Sequence, residues 1–315
     1  MCFVNRFLPV MTNLNSPLFS VVIPTYNRDK FILNTLSTVF AQTYPHYEVI
    51  VVDNASTDET IELLRPFANS GKIRLIQHDQ NFERARSRNT GMENARGDYL
   101  TFLDSDDFMR PNCLADAAEF SIKNPQYKCF HNLYDLVDAD GTVLHKYKLR
   151  SLENRLDAIT RGNFMACIGN FLHREIYESY RFDTIQDLTG GEDWEFWMRI
   201  IADYEVGRIE KYNCSIQQHS ERTINNQNVE AMERGLKYMV SKFRRDEHLS
   251  IVYKDYLDRI EANCFLYLNL LANDNASHKL ASDYLRQARK ADTSVIFTSR
   301  FLRSLRRTVM GQIRA

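Results

Sequence analysis

FSVVIPTYNRDKFILNTLSTVFAQTYPHYEVIVVD, residues 19 to 53, holds two short apolar runs with a segment of helical spacing between them. The runs, FSVVIP (19–24) and YEVIVVD (47–53), are rich in β-branched residues and lack the apolar–polar alternation of a half-exposed strand. The same alternation of elements continues: STDETIELLRPFA has helical spacing, KIRLIQH (72–78) is a third strand, FERARSRNTGMENA is helix-like, and DYLTFLD (98–104) is a fourth strand. Continuous apolar strands separated by amphipathic helices indicate βαβ units, and hence a parallel, Rossmann-like α/β sheet covered by helices on both faces. Ligands of such sheets sit beyond the carboxyl ends of the strands. Thr25, Tyr26 and Asn27 follow the first strand, Asp53 and Asn54 the second, and Asp104 to Asp107 the fourth, so these residues should line one crevice.

The chain has 315 residues, 44% hydrophobic and 26% charged, with a formal charge of −1. That length supports a sizeable core, and the near-zero charge argues against bulk nucleic-acid binding, which needs a basic field. The balance is uneven: after residue 292 come Arg300, Arg303, Arg306, Arg307 and Arg314 with no acid. Cysteines 2, 113, 129, 167, 214 and 264 form no CxxC pair, so a zinc ribbon or disulfide framework is not indicated and a reducing compartment is the simpler reading. The first twenty residues read as a poor signal peptide, and no run approaches about 18 apolar residues, the length of a spanning helix.

Residues 126 to 225 read as mixed, with strands in YKCFHNLYDLV, GTVLHKYKL and EVGRIEKYNCSI and a helix in DWEFWMRIIADY. Beyond 226 the pattern is helical. The expected organisation is a tail at 1–17, a main domain at 18–225 and a helical region at 226–315. In that last region Phe297, Phe301, Leu305, Val309 and Ile313 recur every fourth residue among the arginines. Such a basic amphipathic helix suits an anionic membrane surface, and equally a dock on the main domain or on another subunit.

Asp104, Asp106 and Asp107 crowd three carboxylates into four positions. At an effective dielectric near 20, two like charges ~4 Å apart repel by roughly 4 kcal/mol, so something must compensate them. Capping of the helix that Pro111 opens explains one acid at most. A D-x-D metal site explains two, since carboxylates select hard ions such as Mg²⁺ or Mn²⁺ that substrate phosphates complete. Phosphatases of the haloacid dehalogenase type also carry D-x-D, but with Thr or Val where this chain has Phe108.

VVIPTYNR, EVIVVDNASTDET, RARSRNTGMENARGDYLTFLDSDD and GGEDWEFWMR occur in order over residues 19 to 220. Together they resemble the family 2 glycosyltransferases, an inverting class with a GT-A fold. The resemblance implies that Pro24, Thr25 and Tyr26 pack on a nucleotide base, and that Asp53 hydrogen-bonds it. Asn54 and Ala55 depart from the two acids and glycine common there, which leaves the base open. It further implies Arg88 near the nucleotide, Asp104 on ribose or metal, Asp106 and His219 on Mn²⁺ or Mg²⁺, and Asp193 as general base with Glu192 beside it. Arg84 and Arg86 read as solvated, Asn89 and Gly91 as structural, and Asp107 as a residue that orients its loop. The helix carrying Trp194 and Trp197 could wall an acceptor site.

The implied activity is metal-dependent transfer of a sugar from a nucleotide-diphospho-sugar, UDP-linked first, to a hydroxyl of a glycan or lipid-linked acceptor in cell-surface polysaccharide or glycolipid synthesis. The expected setting is cytoplasmic, with peripheral contact at the inner face of the membrane through residues 293–315, and the oligomeric state is open. Two other classes remain: a non-catalytic sugar-nucleotide-binding protein on the same fold, and a metal-dependent phosphatase or nucleotidyltransferase.

Overall fold

A computed structural model describes residues 16–147, 151–188, 190–220, 222 and 228–314. The first part runs β1 (Phe19–Thr25), α1 (Ile32–Phe40), β2 (Tyr47–Asp53), α2 (Thr60–Asn69), β3 (Arg74–Gln77), α3 (Arg84–Asn94) and β4 (Tyr99–Phe102). The second runs β5 (Phe108–Met109), α4 (Cys113–Lys123), β6 (Cys129–Val137), β7 (Val143–Lys146), α5 (Arg155–Thr160), β8 (Asn170–His173), α6 (Arg174–Ser179), α7 (Glu192–Asp203) and β9 (Val206–Gln217). Five helices close the chain: α8 (Val229–Arg245), α9 (Glu247–Val252), α10 (Leu257–Asp274), α11 (His278–Ala291) and α12 (Ser299–Arg314).

The strands form one sheet in the order β3-β2-β1-β4-β8-β6-β9-β5, with β7 beside β6. The β3-β2-β1-β4 half is parallel, as the sequence pattern predicts. Beyond it, β8 runs antiparallel to both β4 and β6, and β9 runs parallel to β6 but antiparallel to β5. Register sets the crevice, because Thr25 pairs with Asp53 at the carboxyl ends of β1 and β2. The fourth strand ends two residues before Asp104, although Leu103 N still donates to Val22 O at 3.0 Å.

Successive strand residues face opposite sides, and both sides are dry. Val21, Ile23, Val49 and Val51 pack with α1, α2 and α4, while Val22, Ile50, Val52, Leu100 and Phe102 join a core that includes α3, α7 and the C-terminal helices. Gly91 lets α3 approach β1: a β-carbon there would lie 2.1 Å from Val22 Cγ1. A helix that follows a parallel strand starts at the carboxyl edge of the sheet. The first two turns of α3, with Arg84 and Arg88, therefore stand at the crevice.

The apolar stripe expected near the C-terminus divides in two. Phe301 turns inward with Ser304 and Thr308, whose Oγ1 accepts from Asn269 and Asn273 on α10 at 2.9 and 3.0 Å. Leu305, Val309 and Ile313 face out, as does Phe297, which precedes the helix.

Candidate active site

The turn after β1 is clamped onto the turn after β2. Asn27 takes a left-handed conformation (φ 48°), its N–H donates to Ser56 Oγ at 2.9 Å, and its Oδ1 accepts from Thr57 N at 2.8 Å. Asn tolerates that conformation better than other non-glycine residues. Asp53 Oδ2 accepts from Ser56 N at 3.0 Å; its Oδ1 is buried and lacks a partner among the described residues.

Asn54 explains one departure from the family pattern. Its Oδ1 accepts from Phe82 N and meets His78 Nδ1, at 3.0 and 2.9 Å, while its Nδ2 donates to Asn81 Oδ1 at 2.8 Å and to Phe82 O. An aspartate would lose both donors, so this amide locks the 78–82 loop that forms one rim.

The crevice between these turns, α3, the acidic loop and α7 has a volume of about 460 Å³, within the range of small-molecule sites. Its wall includes Pro24, Thr25, Tyr26 and Asn54, Asp104 to Asp107, and Glu192 and Asp193. Asp53 is 1% exposed and lies behind this wall.

The acids are compensated first by the chain's own arginines. Arg88, 2% exposed, donates from Nη2 to Asp104 Oδ1 and from Nη1 to Glu192 Oε1, both at 3.0 Å. Arg84 is no solvated helix residue: its Nε lies 3.5 Å from Glu192 Oε1, drawn in by the same buried charge. Burial lifts the Asp104 and Glu192 carboxyls, but Arg88 and Arg84 outweigh it and hold both below their ordinary values. Asp106 Oδ2 meets Arg28 Nε at 3.3 Å and His219 Nε2 at 3.1 Å, and the His219 ring packs on Phe31. Asp107 orients the loop, its Oδ1 accepting from Gln217 N at 3.0 Å; burial and the neighbouring Asp106 and Asp104 push its carboxyl well up.

Asp193 differs. Its Oδ1 accepts from Trp194 N at 2.7 Å and its Oδ2 from Asn163 Nδ2 at 2.9 Å. Burial, then Glu192 beside it, push the carboxyl up to about 7, the range that suits a general base. Neither tryptophan walls the crevice. Trp197 is fully buried, and Trp194 lies in the core with Nε1 donating to Ile159 O at 2.8 Å. Tyr267, from α10, lines the crevice together with Tyr26 and Phe82.

Among the described residues no three His, Cys, Asp or Glu form a ready metal cage. Asp106 and His219 converge, however, while Arg88 holds one oxygen of Asp104. Two protein donors, of which Asp106 lines the crevice, fit an Mg²⁺ or Mn²⁺ whose other positions go to phosphate oxygens and water.

A sequence profile of glycosyl transferase family 2 matches residues 20–181, half of the chain. The chain belongs to that family. It is 25% identical over 218 residues to WfgD of Escherichia coli, a UDP-Glc:alpha-D-GlcNAc-diphosphoundecaprenol beta-1,3-glucosyltransferase, covering 69% of this chain and 83% of that one. In structure it is similar to residues 1–349 of S. aureus TarS, solved with UDP-GlcNAc, with a TM-score of 0.66, 19% identity, and coverage of 93% and 89%. It is also similar to the mannosyltransferase PcManGT of Pyrobaculum calidifontis, solved with GDP-Man and Mn²⁺, with a TM-score of 0.60, 17% identity, and coverage of 95% and 87%. Both are GT-A enzymes, and the sheet described above is the GT-A fold.

Because its folded value lies near 7 rather than about 4, Asp193 binds a proton on folding, and stability falls as pH rises through that interval. Asp193→Asn removes the penalty. At about pH 8 the variant should be more stable than the parent by roughly 1–3 kcal/mol, partial exposure allowed for, with the gain vanishing near pH 4. Thermal unfolding across that range checks it, and equal stability at pH 8 would contradict the burial cost.

Proposed function

We propose that the crevice binds a nucleoside-diphosphate sugar, UDP-linked first, and that an acceptor hydroxyl attacks the anomeric carbon in a single inverting displacement. The observation that carries this reading is the contrast among the acids. Asp104, Asp106 and Glu192 are each paired with arginine, and Asp107 is buried, whereas among the described residues the hydrogen-bond donors to Asp193, Asn163 Nδ2 and Trp194 N, are neutral, and Asp193 lines the same crevice. Asp193 takes the hydroxyl proton as attack proceeds, work worth typically 10²–10⁴-fold.

Tyr26 offers a flat face to the base, and Asp104, held by Arg88, faces the ribose. Asp53 would reach a base N–H only after the Asn54–Thr57 turn moves, since it is buried as it stands. Arg28, Arg84 and Arg222 stand in the wall to meet the diphosphate. A divalent ion held by Asp106 and His219 would supply positive charge to the leaving diphosphate. The UDP-GlcNAc bound by TarS, the GDP-Man and Mn²⁺ bound by PcManGT, and the UDP-Glc in the name of WfgD support this donor class.

The same reading places the acceptor in cell-surface glycan synthesis, and α12 beside an anionic bilayer. With about 100° per residue, Leu302, Leu305, Val309 and Ile313 form one outward stripe, and Arg303, Arg306 and Arg307 lie along its flank. Phe297 adds an 85% exposed ring before the helix. Apolar burial together with arginine attraction to anionic headgroups is the chemistry of an interfacial helix. Among the described residues no helix is long and apolar enough to cross a membrane.

Release of UDP from UDP-GlcNAc should rise with pH through about 7 as Asp193 ionises. Asp193→Asn should lower it at least about 100-fold while UDP affinity, read by calorimetry, stays at the parent value. Full turnover in that variant would refute the base assignment.

For the membrane contact, sedimentation with phosphatidylglycerol-containing vesicles should capture the protein, and pure phosphatidylcholine vesicles should not. Leu305→Glu or Ile313→Glu should release it without unfolding it. Deleting α12 is a poorer test, because that uncovers Asn269 and Asn273. No capture of the intact chain, or a dimer that Leu305→Glu dissolves in place of capture, would refute the contact.

A further inference from the structure

Asp193 is held from a segment that carries no recognisable motif. Helix α5 ends at Thr160, and the next residues turn through Gly162, whose φ of 135° suits glycine alone. Two other elements fix this turn. Asn263 of α10 donates from Nδ2 to Thr160 O at 3.2 Å, and Arg300 of α12 donates from Nη1 to Arg161 O at 2.8 Å and to Asn263 Oδ1 at 3.1 Å. A β-carbon on Gly162 would stand 2.9 Å from Arg300 Nη1, so the turn and the arginine fit closely.

Asn163 comes next. Its Oδ1 accepts from Met165 N at 3.0 Å, which leaves its Nδ2 facing Asp193 Oδ2 at 2.9 Å. The amide is thus oriented from behind, and a flipped amide would turn its oxygen toward a carboxylate. We infer that Asn163 is a positioning residue for Asp193: it fixes the carboxylate toward the acceptor side and stabilises its charged form. The inference rests on Asp193 as the acceptor-activating base.

Opposing charges meet at this point, and burial with Glu192 outweighs the arginines. Glu192 on α7 raises the Asp193 carboxyl and Arg88 and Arg84 on α3 lower it. The Cys167 thiol and the Tyr267 hydroxyl belong to the same crevice wall, and burial holds that thiol protonated. Among the described residues Asn163 is the side chain that donates a hydrogen bond to Asp193. Removing it takes a hydrogen bond from the ionised form, so Asp193 should hold its proton to higher pH.

The test reads the carboxylate directly. In protein labelled with ¹³C-aspartate, the Asp193 carboxyl is the signal that Asp193→Asn removes. In the parent it should titrate near 7. In Asn163→Ala it should titrate about one pH unit higher, the worth of one hydrogen bond to a charged group. Asn163→Asp, which keeps the shape but adds a like charge, should move it further. The acid limb of UDP release from UDP-GlcNAc should shift with it, with a loss of about fivefold at pH 7 that is largely recovered near pH 9. UDP affinity should match the parent in both variants, which also reports that each is folded.

A carboxyl titration unmoved in both variants, or a loss of turnover equal at every pH, would overturn the inference. The two claims fail separately. Full turnover in Asp193→Asn would sink the base assignment while the carboxyl titration still reads the Asn163 contact. An unmoved titration with Asp193→Asn inactive would sink only Asn163. Asn163→Ser, a smaller donor, replaces the alanine variant should that one not fold.

Discussion

Everything at the crevice hangs on one buried guanidinium. Arg88 stands 2% exposed between Asp104, from the loop after β4, and Glu192, at the start of α7. Removing one partner from a buried ion set is costly, because it strands charge in a low-dielectric interior. The planar fork of arginine can hold two carboxylates at once where an ammonium offers a point charge. Arg88 thereby ties the parallel half of the sheet, the side proposed for the nucleotide, to the helix that carries Asp193. Close packing of Gly91 on Val22 delivers it there, one turn from the contact.

That tie sorts the acids by task. Charge neutralised at Asp104 and Glu192 leaves both ionised, while the ionised Glu192 and burial together lift its neighbour Asp193 toward neutrality. Adjacent carboxyls thus separate into a paired anion and a titrating carboxyl, a separation of environments that is characteristic of acid–base sites. The C-terminal helices take part as well. Through Asn263, Tyr267 and Arg300 they reach the crevice wall and the turn beside Asp193, so the helical region supports the site as well as covering the sheet.

The parallel half of the sheet was legible because β1, β2 and β4 are mainly apolar runs followed by polar residues, and β3, with Arg74 and Gln77, keeps its place in the strand–helix alternation. The mixed half was less so. β5 has two residues and β8 has four, NFLH, too few for any periodicity to declare itself. Asp104, Asp106 and Asp193 are read from motif order and His219 from a separate likeness to the family; the structure brings Asp106 to His219 and puts Asp104, Asp106 and Asp193 in the wall of one crevice. Arg84 reads as solvated from sequence because the buried face of α3 mixes Ser87, Arg88 and Asn89 with Ala85 and Met92, too weak an apolar stripe to mark the inward side. Because it carries both tryptophans of the chain, α7 reads as a wall for an acceptor, yet its hydrophobic face takes Trp194 and Trp197 into the core. Asn163 and Tyr267 carried no local signal at all. Their importance comes from contacts 30 residues and more along the chain, which only the folded structure supplies.

The claim at the centre is that the Arg88 fork joins the nucleotide side to the base side, and Arg88→Lys tests it most directly, since it keeps the charge and loses the fork. The measurement is UDP affinity by calorimetry together with turnover of UDP-GlcNAc on the same folded sample. Both should fall, each by roughly tenfold or more, as one ammonium releases either Asp104 or Glu192. A folded lysine variant that binds UDP and turns over at the parent level would contradict the account.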